Sequence, residues 1–117
     1  AARAPAAHDS WHAGRPVTTD TADTFADGLA TRSSYPLTFP ALRAGLAGFV
    51  TATEAEIAAA LRLLLSTTHN LCEGAGAVGL AGLMKLTGAL RGRKVGIVLS
   101  GSNIDSETLR RVVTAKI

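Results

Sequence analysis

The sequence predicts an α/β fold, a parallel sheet with helices on its faces, from three observations. Apolar residues make up 47% of the 117 residues, charged ones 18% and aromatic ones only 4%. Burial therefore falls to Ala, Leu and Val, as in helix-on-sheet layers. VGIVL (residues 95–99) is an unbroken apolar run of the kind that fills a central parallel strand. From Leu42 onward, runs of strand length alternate with stretches of helical period. The order is strand, two helices, strand, helix, which right-handed crossovers can connect. The length bounds the chain to one domain with a single modest core.

Residues 1–41 read as a loop-rich lead-in and residues 42–117 as the α/β segment. The lead-in is punctuated by Gly14-Arg15-Pro16, the run TTDTADT, Tyr35-Pro36 and Phe39-Pro40, all turn or loop signals. LAGFVTA (residues 46–52) then reads as a short buried strand. Thr53 and Glu56 spell a capping box, in which each side chain satisfies the other's backbone N–H. Ile57, Leu61, Leu64 and Leu65 follow on one helical face. Val78, Leu80, Ala81, Met84 and Leu86 continue at helical spacing, with Gly88 as the expected stop. Arg93-Lys94 lead into VGIVL, SGSNID is a turn, and residues 106–116 read as a closing helix carrying Leu109, Val112 and Val113.

Several function classes are disfavoured. The net charge is only +3, and the Arg and Lys residues are scattered without interleaved aromatics, so no nucleic-acid partner is expected. No apolar stretch reaches membrane-spanning length, so no membrane partner is expected either. The single cysteine, Cys72, excludes an internal disulfide and suits a reducing, cytoplasmic setting. The opening AARAPAAHDSW reads as something cut from a larger protein.

The chemistry-bearing stretches are two. CEGAGAVGLAG (residues 72–82) contains the spacing GxGxxG at Gly74, Gly76 and Gly79. A dinucleotide fingerprint needs a strand just before the first glycine and an acid at the end of the next strand. Here LRLLLSTTHN precedes it with helical period, and the nearest acid after VGIVL, Asp105, lies beyond the turn. The glycines are therefore read as packing. With Gly82 they make a thin helix whose backbone can press against a neighbour or a flat ligand, at a cost of about 1 kcal/mol per glycine.

SGSN is the second stretch. Ser100 stands at the carboxyl end of the expected strand, where open α/β sheets bind ligands. Its hydroxyl can donate to a ring nitrogen or accept from an N–H; equally, Ser100 and Asn103 can satisfy turn backbone. The residues alone leave both readings open. His8, His12 and His69 are read as surface or loop residues that share no metal-ligand spacing. Cys72 is read as a small buried hydrophobe, and Trp11 as a core or interface plug.

TADTFADGLA (residues 21–30), FVTATEAEIAAALRLLLSTTHNLCEGAGAVGLAGL (residues 49–83) and VGIVLSGSNID (residues 95–105) together resemble the last part of the pyridoxal-phosphate-dependent threonine/serine dehydratases. These ammonia-lyases form a fold type II, tryptophan synthase β-like family that also includes serine racemases. The likeness runs from Ala1 to about Val113. It implies a partial large domain, pyridoxal 5'-phosphate as cofactor, and β-elimination of water from a hydroxy-amino acid with release of ammonia and a 2-oxo acid. It also implies the remainder of the parent enzyme as a partner, and a homo-oligomer.

Carried over by position, Ser100 matches the serine that bonds the pyridine nitrogen, and Gly101 and Asn103 belong to the same cofactor turn. Gly28, with Asp27, matches the ADG turn near the ring edge. Glu73 matches a pocket glutamate with a catalytic role, at a helix N-terminus that suits a negative side chain. Asp9 falls where racemase-like members place a carboxylate on a divalent cation, although the partner glutamate's slot falls near Arg3. Other departures are Ser102 in place of a second glycine, and the absence of the family's cofactor-binding lysine segment and tetraglycine loop. Lys85, Lys94 and Lys116 do not stand in that lysine's context. The chain alone is accordingly expected to be inactive. The alternatives are a serine racemase or another fold type II lyase, and a non-catalytic nucleotide-binding or assembly module.

Overall fold

Five α-helices and one 3-10 turn order the chain, in a computed structural model that describes all residues from Ala1 to Ile117. In sequence they are α1 (Ala6–Ala13), the 3-10 turn (Asp27–Leu29), α2 (Phe39–Gly45), α3 (Glu54–Thr68), α4 (Gly74–Lys85) and α5 (Ser106–Val113). α3 begins where the capping box was expected. Thr53 Oγ1 accepts from the Glu56 N–H at 3.2 Å, and Glu56 Oε2 accepts from the Thr53 N–H at 2.7 Å. Two of the four N–H groups that a helix start leaves orphaned are thus paired locally. Lys85, in the last turn of α4, donates to Glu56 Oε2 at 3.2 Å and to the Thr51 carbonyl at 3.1 Å. The start of α3 and the end of α4 are held together there.

The core lies between α3, α4 and α5. Ile57, Leu61 and Leu64 of α3 pack with Cys72, Ala77, Ala81 and Val112. Leu65, expected on the same face, is only half-buried. α4 is thin enough to be approached closely on several sides. At Gly79 an added Cβ would lie 3.6 Å from Ile97, and at Gly82 3.9 Å from Val50. The two apolar segments expected as strands, residues 46–52 and 95–99, therefore both run along the glycine side of α4.

Neither segment is a strand within this chain, which corrects the expectation of a sheet formed by these residues. The only ladder contact is an isolated antiparallel bridge between Thr18 and Ser33. The reason is physical: a strand exists only through a partner's backbone, and residues 95–99 have no ladder partner here. VGIVL is consequently not buried; Val98 is 80% exposed, and Val95 and Leu99 are 43% and 42% exposed.

Two helices stand where the lead-in was read as loop. α1 ends on Gly14, whose φ of 69° is the left-handed conformation that closes a helix. α2 has Pro40 in its first turn, a position proline tolerates, so the boundary drawn between residues 41 and 42 falls inside it. Trp11 joins the two helices. Its indole N–H donates to the Leu42 carbonyl at 3.2 Å, and the Arg43 guanidinium lies 5.5 Å over its ring. The other differences are at ends: α4 stops at Lys85 rather than near Gly88, and α5 at Val113 rather than residue 116.

Candidate active site at the start of α4

The first turn of α4 is gripped by two loops, and those loops carry the residues singled out from sequence. On one side lies the Ala26-Asp27-Gly28 turn. A Cβ at Gly74 would stand 2.8 Å from the Phe25 ring and 2.9 Å from Ala26 Cα, and one at Gly28 would stand 3.0 Å from Ala75 Cβ. On the other side lies the SGSN turn. A Cβ at Gly76 would stand 2.6 Å from Cys72 Sγ and 2.8 Å from the Gly101 carbonyl oxygen. Real Cβ atoms do not approach so closely, so Gly74 and Gly76 are the residues that let both turns reach the helix.

Glu73 occupies the N-cap position but makes no capping hydrogen bond through its side chain. Its backbone N–H donates to the Gly101 carbonyl at 3.1 Å, and its carboxylate turns onto Gly101, where a Cβ would collide with Oε1. Glu73 is half-buried. Glu73, Gly101 and, through chain adjacency, Ser100 form one group, with Gly28 on the opposite side of the same helical turn. Beneath them Cys72 is buried. Burial pushes its thiol up from the usual range, and the neighbouring Glu73 adds to that. It is a filler, not a nucleophile.

The turn reading of Ser100 and Asn103 does not describe this structure. The turn closes through the Ile104 N–H on the Ser102 carbonyl at 2.9 Å, and Asp105 caps α5 by accepting from the Thr108 N–H at 2.8 Å. Ser100 and Asn103 are exposed, and neither side chain bonds the turn backbone. The Ser100 hydroxyl is thus free to meet an outside partner. Such a hydroxyl beside flat glycine backbone fits the ring nitrogen of pyridoxal phosphate. The site is open, however. None of the five surface hollows is lined by Glu73, Ser100, Gly101 or Asn103. Gly28 lines one of about 140 Å³, with His8 and Phe49.

The residues near Asp9 do not fit a divalent cation held by carboxylates. Asp9 Oδ1 lies 2.8 Å from His8 Nδ1, and Arg3, in the slot of the expected glutamate, pairs with Asp23. No three His, Cys, Asp or Glu side chains come together as a metal site. A guanidinium where a second carboxylate is needed supplies the positive charge itself. The sequence reading also missed that His8 and His12 share one face of α1. Their spacing of four residues was the available signal, hidden because this stretch was read as loop.

The family model described as "Pyridoxal-phosphate dependent enzyme" matches residues 1–101. The chain is 42% identical over 112 residues to an L-threonine ammonia-lyase of Geobacter sulfurreducens, covering 96% of this chain and 28% of that protein. It is 35% identical over 98 residues to an L-threo-3-hydroxyaspartate ammonia-lyase of a Pseudomonas species, covering 84% of this chain and 31% of that one. Among solved structures, a processed threonine deaminase isoform 2 of Solanum lycopersicum superposes with a TM-score of 0.85 at 30% identity, covering 96% of this chain and 31% of that one. The serine racemase of Dictyostelium discoideum superposes at 0.78 and 31% identity, covering 87% and 33%. The chain thus spans about a third of the length of its relatives, and its architecture is part of the fold type II domain they share. With residues 1–101 matched and the same backbone course, the chain belongs to the pyridoxal-phosphate-dependent enzyme family.

Proposed function

We propose that this chain is the segment of a threonine/serine ammonia-lyase that meets the cofactor's ring and positions the reacting group. The observation that carries the reading is the exposed Ser100 hydroxyl at the end of residues 95–99, adjacent in the chain to Gly101, against which the Glu73 carboxylate at the start of α4 is packed. The similarity to L-threonine ammonia-lyases supports the reaction class. The net reaction takes a 2-amino-3-hydroxy acid to a 2-oxo acid and ammonia: the β-hydroxyl leaves as water and one water returns to release the nitrogen.

Ser100 would hold the pyridine nitrogen of pyridoxal phosphate, Gly28 would flank the ring edge, and Gly101 and Asn103 would shape the turn. Bound there, the cofactor supplies an electron sink for the substrate's α-carbon. A neutral hydroxyl on the ring nitrogen tempers that sink relative to a carboxylate, which suits loss of the α-proton followed by departure of the β-hydroxyl. Glu73, held against Gly101, would present a carboxylate to the reacting face and orient polar groups there. A hydroxy-amino acid is the substrate class, the rest of the length found in the relatives is the partner, and a homo-oligomer in the cytoplasm is the expected setting. Racemisation of serine is a second reading, favoured by the likeness to a serine racemase.

The test is Ser100→Ala in an enzyme carrying this segment together with the remaining length of its relatives. Cofactor affinity and kcat/KM for threonine or serine should fall by about 10- to 100-fold, the loss of one hydrogen bond to a charged or polarised partner. Unchanged cofactor absorbance and ammonia release in that variant would remove Ser100 from the site. Product analysis separates the two readings, since a racemase returns the other enantiomer without ammonia.

A further inference from the structure

α1 carries a pair of side chains that the proposed elimination does not use. His8 and His12 stand four residues apart in one helix, so their rings leave the same face one turn apart. The ring centroids are 4.4 Å apart with the planes tilted by 54°. Each ring has one nitrogen committed to a group that can only accept. His8 Nδ1 is 2.8 Å from Asp9 Oδ1, and His12 Nε2 is 3.3 Å from the Phe49 carbonyl oxygen. A carboxylate and a carbonyl have no proton to give, so these nitrogens carry the N–H. In the neutral rings the lone pairs then sit on His8 Nε2 and His12 Nδ1. A metal-ligating histidine is held in the same way: its second nitrogen donates to a carboxylate or backbone carbonyl, which fixes tautomer and orientation. Phe49 stands edge-on to His8 at 5.8 Å and Trp11 edge-on to His12 at 4.8 Å, which restricts both rings further.

We propose that His8 and His12 form a two-imidazole site for a divalent transition-metal cation, with Asp9 and the Phe49 carbonyl as orienting partners and water completing the coordination. Because no third His, Cys, Asp or Glu joins them, this is not a closed four-ligand zinc site. Two nitrogen donors with open positions favour Cu²⁺ over Ni²⁺ and Zn²⁺, and Mg²⁺, which takes oxygen ligands, should not bind. The site differs from a carboxylate-held cation at Asp9, because here Asp9 acts through His8 and not as a ligand. The cation would clip one turn of α1, an eight-residue helix that has no side-chain cap. Any ligand that binds only the folded form stabilises it, by an amount that grows with the logarithm of its concentration above the dissociation constant.

Trp11 is the single tryptophan and touches His12, so its fluorescence reports occupancy directly and independently of any enzyme activity. Titrating the 117-residue chain with Cu²⁺ at neutral pH should give saturable quenching at one cation per chain, and Mg²⁺ should give none. His8→Gln and His12→Gln should each weaken the Cu²⁺ midpoint by roughly tenfold or more, and Asp9→Asn should shift it in the same direction. His69→Gln should leave it unchanged. Non-saturating quenching of the unaltered chain, or a midpoint that His8→Gln and His12→Gln both leave in place, overturns the site. Thermal unfolding of the unaltered chain with and without Cu²⁺ gives a check that needs no variant: a raised Tm supports the clip, and no shift overturns it.

Discussion

Gly76 shows at the scale of one residue how this chain trades helix propensity for contact. A glycine inside a helix costs about 1 kcal/mol relative to alanine, so replacement by alanine would stabilise α4 if nothing stood nearby. The neighbours reverse that sign. The new Cβ would come to 2.6 Å from Cys72 Sγ and 2.8 Å from the Gly101 carbonyl oxygen, and a backbone carbonyl cannot swing aside as a long side chain can. Gly76→Ala should therefore lower stability by about 1–3 kcal/mol, the usual cost of overpacking, and displace the SGSN turn from Glu73. Thermal unfolding measures the first effect. An alanine variant as stable as the parent chain would mean that the turn is free to lift off the helix. The same contact explains why the GxGxxG spacing is no dinucleotide loop here: the space a pyrophosphate would need beside Gly76 is filled by this chain's own backbone.

At the scale of elements, what was legible in the sequence was what is encoded locally. The capping box at Thr53 and Glu56, the apolar face of α3 and the thin glycine helix all formed, because hydrogen bonds between residues three apart and helical periodicity are written in adjacent letters. α1 and α2 were not seen, because alanines, histidines and a tryptophan give α1 no clear apolar stripe, and the prolines around residue 40 signal a loop as readily as a helix start. The grouping of Glu73 with Gly101 was legible as a resemblance but not as geometry, since it depends on a contact across many residues of chain. The capping box itself makes a testable prediction with pH. Glu56 is held below the usual carboxylate range, first by the Thr53 backbone N–H and then by Lys85. A depressed acid contributes stability that is present above its unfolded value and lost as pH falls through its folded one. The tie between α3 and α4 should hence weaken below about pH 4, the ordinary glutamate range. Thr53→Ala should cost about 1 kcal/mol at neutral pH, as lost N-caps do. Glu56→Gln should flatten the acid limb of a Tm-versus-pH curve. If Glu56→Gln leaves that limb unchanged, the acid sensitivity belongs to other carboxylates.

At the scale of the whole molecule, the apolar content and the burial do not match. Apolar residues are 47% of the chain, but only 17 of the 117 residues are buried. The body is a slab of 39 × 37 × 20 Å, and its radius of gyration of 14.5 Å exceeds the roughly 13 Å of a compact domain of this length. Four of the exposed large apolar side chains, Val95, Ile97, Val98 and Leu99, are consecutive or nearly so at residues 95–99, where Val98 is 80% exposed and the backbone has no ladder partner. Unpaired apolar backbone of this kind recruits another chain. In a purified preparation the only chain available is a second copy, and an isologous pairing of residues 95–99 would close into a dimer. The purified 117-residue chain should accordingly associate, with a sedimentation coefficient that rises with concentration. Val98→Lys, a change at an exposed position that leaves the core of α3, α4 and α5 untouched, should shift the equilibrium toward monomer by blunting the edge. A chain that sediments as a monomer at every concentration, with unaltered helical content, would show that residues 95–99 are sufficiently satisfied by their contact with α4 alone.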